Sequence, residues 1–129
     1  MVVVDASTLL DALTSDEQVG DRARETLLGH RLAAPEHLRI EAFHAIRGRS
    51  LGQKITESAA VEAVHDLAIA ELETVPTALL LERMWELRAN VTGYDAAYVA
   101  AAEHLGVPLV TSDKRLAAAP GLRCEVRIP

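Results

Sequence analysis

Cysteine and aromatic residues are scarce: Cys124, Phe43, Trp85, Tyr94 and Tyr98 are the only ones in a chain of 129 residues. One cysteine excludes an intrachain disulfide and a cysteine-rich zinc site. So few rings leave the core to Ala, Leu and Val in a chain that is 50% apolar. No apolar run approaches the ~20 residues of a membrane-spanning helix. The opening "MVVVDASTLL" has neither the basic region nor the long apolar stretch of an export signal. No membrane association is expected, and the expected location is cytoplasmic. A glycine-rich phosphate loop is missing. A basic excess is missing too: the formal charge is −6, which argues against a general nucleic-acid-binding surface. It leaves room for an enzyme that grips a phosphodiester through cations.

What is present is an alternation of elements. The length predicts one domain, 1–129, burying roughly 65–70% of its unfolded surface. "VVV", "RLAAP", "ELETVP" and "VPLVTS" read as short strands, and "CEVRIP" as a fifth at the sheet edge. Between them lie helical stretches: "ASTLLDAL", "SDEQVGDRARETLLGH", "EHLRIEAFHAIRGRS", "TESAAVEAVHDLAIA", "TALLLERMWELRAN" and "GYDAAYVAAAEHLG". Ser15 and Gln18 have capping-box spacing, Thr56 reads as an N-cap, and Gly106 as a left-handed stop. "TALLLERMWELRAN" is apolar enough to be buried at a helix or subunit contact, most simply in the core. Strands alternating with helices predict an α/β domain with a central parallel sheet of about four to five strands.

In open α/β sheets, ligands bind beyond the carboxyl ends of the strands. Asp5 follows "VVV" and Asp113 follows "LVTS". Each precedes a helix, so N-capping accounts for either one singly. Asp95 is different. Helix geometry sets it on one face with Tyr98, Val99 and Ala102, an apolar arc. An inward carboxylate costs several kcal/mol unless something pairs with it. Glu41 borders the arc of Leu38, Ala42 and Ala45, where the simplest roles are a solvated flank or an ion pair, with Arg39 or Arg49 as nearby candidates.

Together the four carboxylates would repel unless a cation stood among them. Oxygen-only donors suit magnesium or manganese, which retain waters and use few protein carboxylates. Ser7, Thr111 and Ser112 are placed to orient carboxylates or metal-bound water. The five histidines form neither HExxH nor an i, i+4 pair, so supporting or surface roles are expected. Arg39, Arg47, Arg49 and Lys54 form a local basic cluster. Lys114 and Arg115 adjoin the acids and could touch a phosphate. Cys124 reads as a small structural residue.

"VVVDASTLL", "EAFHAI" and "GYDAAYVAAAEHLGVPLVTSDKRL", in that order over nearly the whole chain, resemble the PIN-domain nucleases, most closely the VapC-type toxins. The resemblance implies a single PIN-like domain and a metal-dependent endoribonuclease acting as the toxin of a toxin–antitoxin pair. Asp5, Glu41, Asp95 and Asp113 would form its catalytic pocket. Asp5, Asp95 and Asp113 would hold Mg2+ or Mn2+ directly or through water, and Glu41 would complete the pocket. The implied partners are an RNA substrate, a cognate antitoxin and a second copy of the chain in a homodimer. Members often carry a further acid just after the last one; Arg115 and Leu116 stand there instead.

Three other classes compete. A two-component receiver-like domain would need adjacent acids after the first strand and an acceptor Asp after the third, yet "LETVP" ends without one. A haloacid-dehalogenase-type phosphatase needs an acid where Ser7 stands. A catalytically inert binding domain with an acidic magnesium pocket would have no use for all four acids.

Overall fold

Val2, Val3 and Val4 are β-branched and at most 1% exposed, which fits a strand covered on both faces. In the computed structural model, which describes residues 1–129, they form β1 (Val2–Val4), the centre of the sheet. Leading from it are α1 (Ala6–Thr14), α2 (Gln18–Leu27), β2 (Leu32–Pro35), α3 (Leu38–Leu51), α4 (Glu57–Ile69) and β3 (Leu72–Val75). A 3-10 turn (Thr77–Leu79) then precedes α5 (Leu81–Glu86), α6 (Gly93–Leu105), β4 (Leu109–Val110), α7 (Lys114–Ala117) and β5 (Val126–Arg127).

The five strands are all parallel, in the order β3-β2-β1-β4-β5. Val3 aligns with Ala33 of β2 on one side and Leu109 of β4 on the other. The chain steps outward from β1 to β3, then returns across the sheet to lay β4 against β1. The gap between the carboxyl ends of β1 and β4 is therefore the switch point where such sheets bind ligands. The α/β expectation holds, with five strands and β5 at the edge.

Helices α1 to α4 pack on one another, whereas α6 lies against β1, β2 and β4, with α5 packed on its outer side. Right-handed crossovers put these two groups on opposite faces. Ala96 to Ala102 are buried without interruption, so α6 is enclosed all round and needs its small side chains to fit. The core is one cluster of 27 buried residues. Tyr98 is the only aromatic in it. No helix is long and apolar enough to cross a membrane.

Local signals behave unevenly. Thr56 caps α4 by accepting the Ala59 N–H, and Gly106 ends α6 at φ 66°. The Ser15–Gln18 box does not form: α2 begins two residues later than the box requires, with Glu17 as its N-cap, and Ser15 Oγ accepts the Glu17 N–H at 3.2 Å instead. The "TALLLERMWELRAN" stretch also departs from expectation. It breaks into the 3-10 turn and α5, and only Leu80 and Leu87 are fully buried, with Met84 partly so. Those three positions make one helical stripe; Leu79, Leu81 and Trp85 are 59%, 55% and 67% exposed. The Arg83 guanidinium clamps the segment to Glu103 of α6 (2.6 and 3.1 Å) and to the Gly121 carbonyl (2.6 Å).

Leu80→Ala and Leu87→Ala are each expected to cost about 2–5 kcal/mol of unfolding free energy by leaving a cavity. Urea titration measures this, and a cost under about 1 kcal/mol at both positions would place the segment outside the core.

Candidate active site

Asp5 leaves the end of β1 and caps α1, its Oδ1 accepting the Thr8 N–H at 2.9 Å. Ser7 Oγ lies 2.8 Å from both carboxylate oxygens, and Thr111 Oγ1 donates to Oδ2 at 2.5 Å. Asp5 is 5% exposed and Thr111 is fully buried. Burial pushes the Asp5 carboxyl above its ordinary value, while Thr111, the Thr8 amide and hydroxyl, and Ser7 pull it back.

Thr111 also accepts the Asp113 N–H at 3.0 Å. One hydroxyl thus ties the first acid to the turn that carries the last. Asp113 Oδ1 caps α7, accepting from Arg115 N–H (2.8 Å) and Leu116 N–H (3.4 Å). Capping and site membership are therefore not alternatives, because Oδ2 is left without a protein donor. The Ser112 hydroxyl meets Thr8 Oγ1 at 3.4 Å and makes no hydrogen bond to a carboxylate.

Asp95 sits in the first turn of α6, where its N–H donates to the capping Thr92 hydroxyl at 3.2 Å. Thr92 and Asp95 have capping-box spacing, a local signal that marks the start of α6. Burial raises the Asp95 carboxyl above its ordinary value and the Thr92 hydroxyl works against that. Asp113, Glu41 and Asp5, in that order, raise it further by repulsion. Four carboxylates from β1, α3, α6 and the β4 end thus share one electrostatic neighbourhood. Asp95 and Asp113 line one open cleft of about 420 Å³ with Asn90, Thr92 and Arg115.

Glu41 joins from α3 through partners other than those expected. Arg39 donates to the Ala70 carbonyl and Arg49 to Thr14, so neither reaches it. The Tyr98 hydroxyl donates to Glu41 Oε2 at 2.7 Å. His37 Nε2 is 3.3 Å from the same oxygen but lies off the hydrogen-bonding line. Burial is the largest single influence on the Glu41 carboxyl and raises it, yet His37 and Tyr98 together hold it below its ordinary value. Burial, then Glu41, raises the Tyr98 hydroxyl, which keeps its proton and stays a donor. His37 stands four residues before Glu41, a spacing that puts both on one helix face.

No three His, Cys, Asp or Glu side chains are placed to close directly on a single ion. The donor set nevertheless fits a divalent cation. All its donors are carboxylate oxygens, Asp95 is repelled by the other three, and Asp113 keeps an oxygen that faces no protein donor. Magnesium, which keeps several waters and takes one or two protein carboxylates, matches such an open set better than a closed cage would.

A family model described as PIN domain matches residues 2–122. The chain is 42% identical over 127 residues to Ribonuclease VapC1 of Mycobacterium tuberculosis, covering 98% of this chain and 96% of that protein. The chain belongs to the PIN-domain family of VapC ribonucleases. The crystal structure of Mycobacterium tuberculosis VapC20, described as a Sarcin-Ricin loop cleaving toxin, superposes with a TM-score of 0.71 at 18% identity, over 92% of this chain and 94% of that one. VapBC2 from Rickettsia felis, solved bound to a DNA fragment from its promoter, superposes with a TM-score of 0.65 at 14% identity, over 99% and 98%. At those identities the superpositions speak for the shared fold of this VapC-family chain.

Linkage gives the pH behaviour of the site its sign. Asp5 and Asp95, with raised values, contribute stability that is present below their unfolded values and lost as pH rises through the folded ones. Glu41, with a lowered value, does the reverse: its contribution is present above its unfolded value and lost as pH falls through the folded one. Asp95→Asn is therefore expected to raise the Tm of the metal-free protein near neutral pH, with the gain vanishing in acid. Thermal melts across pH test this, and a gain that grows in acid would reverse the assignment. Thr111→Val keeps the shape but removes the bridge, and should weaken cation binding about 10- to 100-fold by calorimetry.

Proposed function

We propose that the chain is a metal-dependent endoribonuclease that hydrolyses RNA phosphodiester bonds and serves as the toxin of a toxin–antitoxin pair. The observation that carries this is Asp95, whose carboxyl feels Asp113, Glu41 and Asp5 although the four come from separate stretches of the chain. The kinship with VapC ribonucleases supplies the reaction class. In this reading residues 1–129 act as one PIN unit.

Asp5, Asp95 and Asp113 would hold Mg2+ or Mn2+, directly or through water. Such an ion lowers the pKa of bound water and offsets charge growing on a phosphoryl oxygen. The protein's own contribution is positional. Ser7, Thr8 and Thr111 lock the Asp5 carboxylate; Thr92 holds the turn that aims Asp95. Glu41, kept ionised by Tyr98 and His37, is suited to accept a proton from the attacking water. Arg115, whose side chain is 95% exposed beside Asp113, can meet a substrate phosphate, the one cation at the mouth of an otherwise acidic cleft.

The receiver-like alternative gains no support. β3 ends at the buried Val75 followed by Pro76, so no acceptor acid stands there. The inert-module alternative leaves the convergence of four acids without a use.

An antitoxin and a second copy of the chain are the proposed partners. The Rickettsia felis assembly is a relative in fold that is solved as a VapBC pair. The exposed Leu79, Leu81 and Trp85 supply an apolar strip for a homodimer. RNA as substrate places the activity in the cytoplasm.

The purified protein should cut single-stranded RNA in Mg2+ or Mn2+ and stop in chelator. Asp95→Asn should lose about 100-fold or more of the rate, several kcal/mol of transition-state stabilisation. Full chelator resistance, or undiminished cleavage by that variant, would overturn the reading. Co-expression with the neighbouring open reading frame should yield a complex with suppressed cleavage, measured by gel assay.

A further inference from the structure

Three of the four aromatic side chains are exposed, and one of them stands immediately beside the acids. Tyr94 is 68% exposed, yet it directly precedes Asp95 in the first turn of α6. Its ring is not loose. The His37 imidazole packs against it, with centroids 5.4 Å apart, and against buried Tyr98 at 4.9 Å. The result is a braced ladder of three rings running from the core to the surface. His37, Ile40, Glu41, His44 and Tyr94 line a second cleft of about 400 Å³. Glu41 belongs both to this cleft and to the acid neighbourhood, so the two are contiguous. The cleft with Asp95, Asp113 and Arg115 lies on the other side of the acids.

The chemistry of this second cleft selects its occupant. Its only charged side chain that is anionic, Glu41, repels a phosphate, and no Lys or Arg lines the walls. A planar uncharged group suits it. Stacking on an exposed ring is how proteins grip single-stranded bases, because every base has a π-face. A ring held from behind by His37, which is itself packed on Tyr98, loses little freedom when a base lands on it. The free carboxylate capacity of Glu41 can accept from a base amino or imino group.

We propose that this cleft is a nucleobase subsite: a base next to the scissile phosphate stacks on Tyr94, braced by His37 and Tyr98, while the phosphate spans the acids toward Arg115. The proposal rests on the ribonuclease reading and adds a specificity-determining residue to it. Tyr94 positions the strand through the base and takes no part in the bond-breaking step.

The test is a coupling experiment on RNA whose cut has been mapped with the wild-type protein. Asp95→Asn protein, which holds RNA without cutting it, is titrated by fluorescence anisotropy in Mg2+. The ligands are oligoribonucleotides carrying a single abasic residue at each position flanking the cut. Tyr94→Ala is added to that background, with Tyr94→Phe as the ring-retaining control. Removal of the ring should weaken binding about 5- to 100-fold, and Tyr94→Phe should restore most of it. One abasic position should weaken the parent by a similar factor but leave the Tyr94→Ala variant nearly unaffected, because ring and base are one interaction.

Additive effects, or equal binding by all three proteins, overturn the subsite while cleavage by the wild type keeps the nuclease reading intact. A wild-type protein that neither binds nor cuts RNA overturns both. Loss of antitoxin binding in Tyr94→Ala with unchanged RNA binding assigns the cleft to the protein partner and overturns the subsite. Circular dichroism confirms folding, which an exposed side chain leaves in place.

Discussion

The hydroxyl of Thr111 is the constraint on which the site depends. It donates to Asp5 and accepts from the Asp113 backbone, so it can serve both only while β1 and β4 lie side by side in register. That adjacency comes from the return crossover through α5 and α6, which places two strands distant in sequence at the centre of the sheet. Fold and site are thereby one arrangement. The valines that bury β1 also fix where Asp5 emerges.

Opposed tendencies run through the acids. Asp5 is held above its ordinary value by burial, and Asp95 by burial and repulsion from the other acids, whereas Glu41 is held below by His37 and Tyr98. A site built for folding stability alone would not crowd carboxylates so. The strain is useful in the nuclease reading, since a divalent cation relieves it and binds with that relief as part of its driving force. Stability and function pull apart at these residues, and the surrounding sheet, with its dry valine centre, absorbs the difference.

Much of this was legible in the residue order. A valine triplet, a first-turn acid on an apolar arc and a strand ending in Thr-Ser-Asp point to a parallel sheet with acids at its carboxyl edge. These signals survive because each is local and repeated by its neighbours. The 77–86 segment was harder. Its uniform apolarity hides which leucines turn inward, and only docking on α6 separates Leu80 and Leu87 from Leu79 and Leu81. Thr111 and Ser112 are adjacent in sequence, yet only the Thr111 hydroxyl bonds to an acid, because adjacent residues at a strand end point in different directions. Glu41 was paired in expectation with arginines near in sequence. Its real partner, the Tyr98 hydroxyl, lies on another helix 57 residues away, and chain spacing cannot report such a contact. The His37 neighbour was within reach of helical spacing and was passed over.

The unbroken buried stretch Ala96–Ala102 carries a further meaning. Methyl groups let α6 settle close to the strands, and that closeness is what allows a side chain as short as aspartate, one methylene long, to reach the common pocket. Bulk behind the helix would lift its axis and withdraw Asp95 from the other acids without touching any of them. The thinness of the alanine layer sets the calibre of the pocket, much as a shim sets the gap in a bearing.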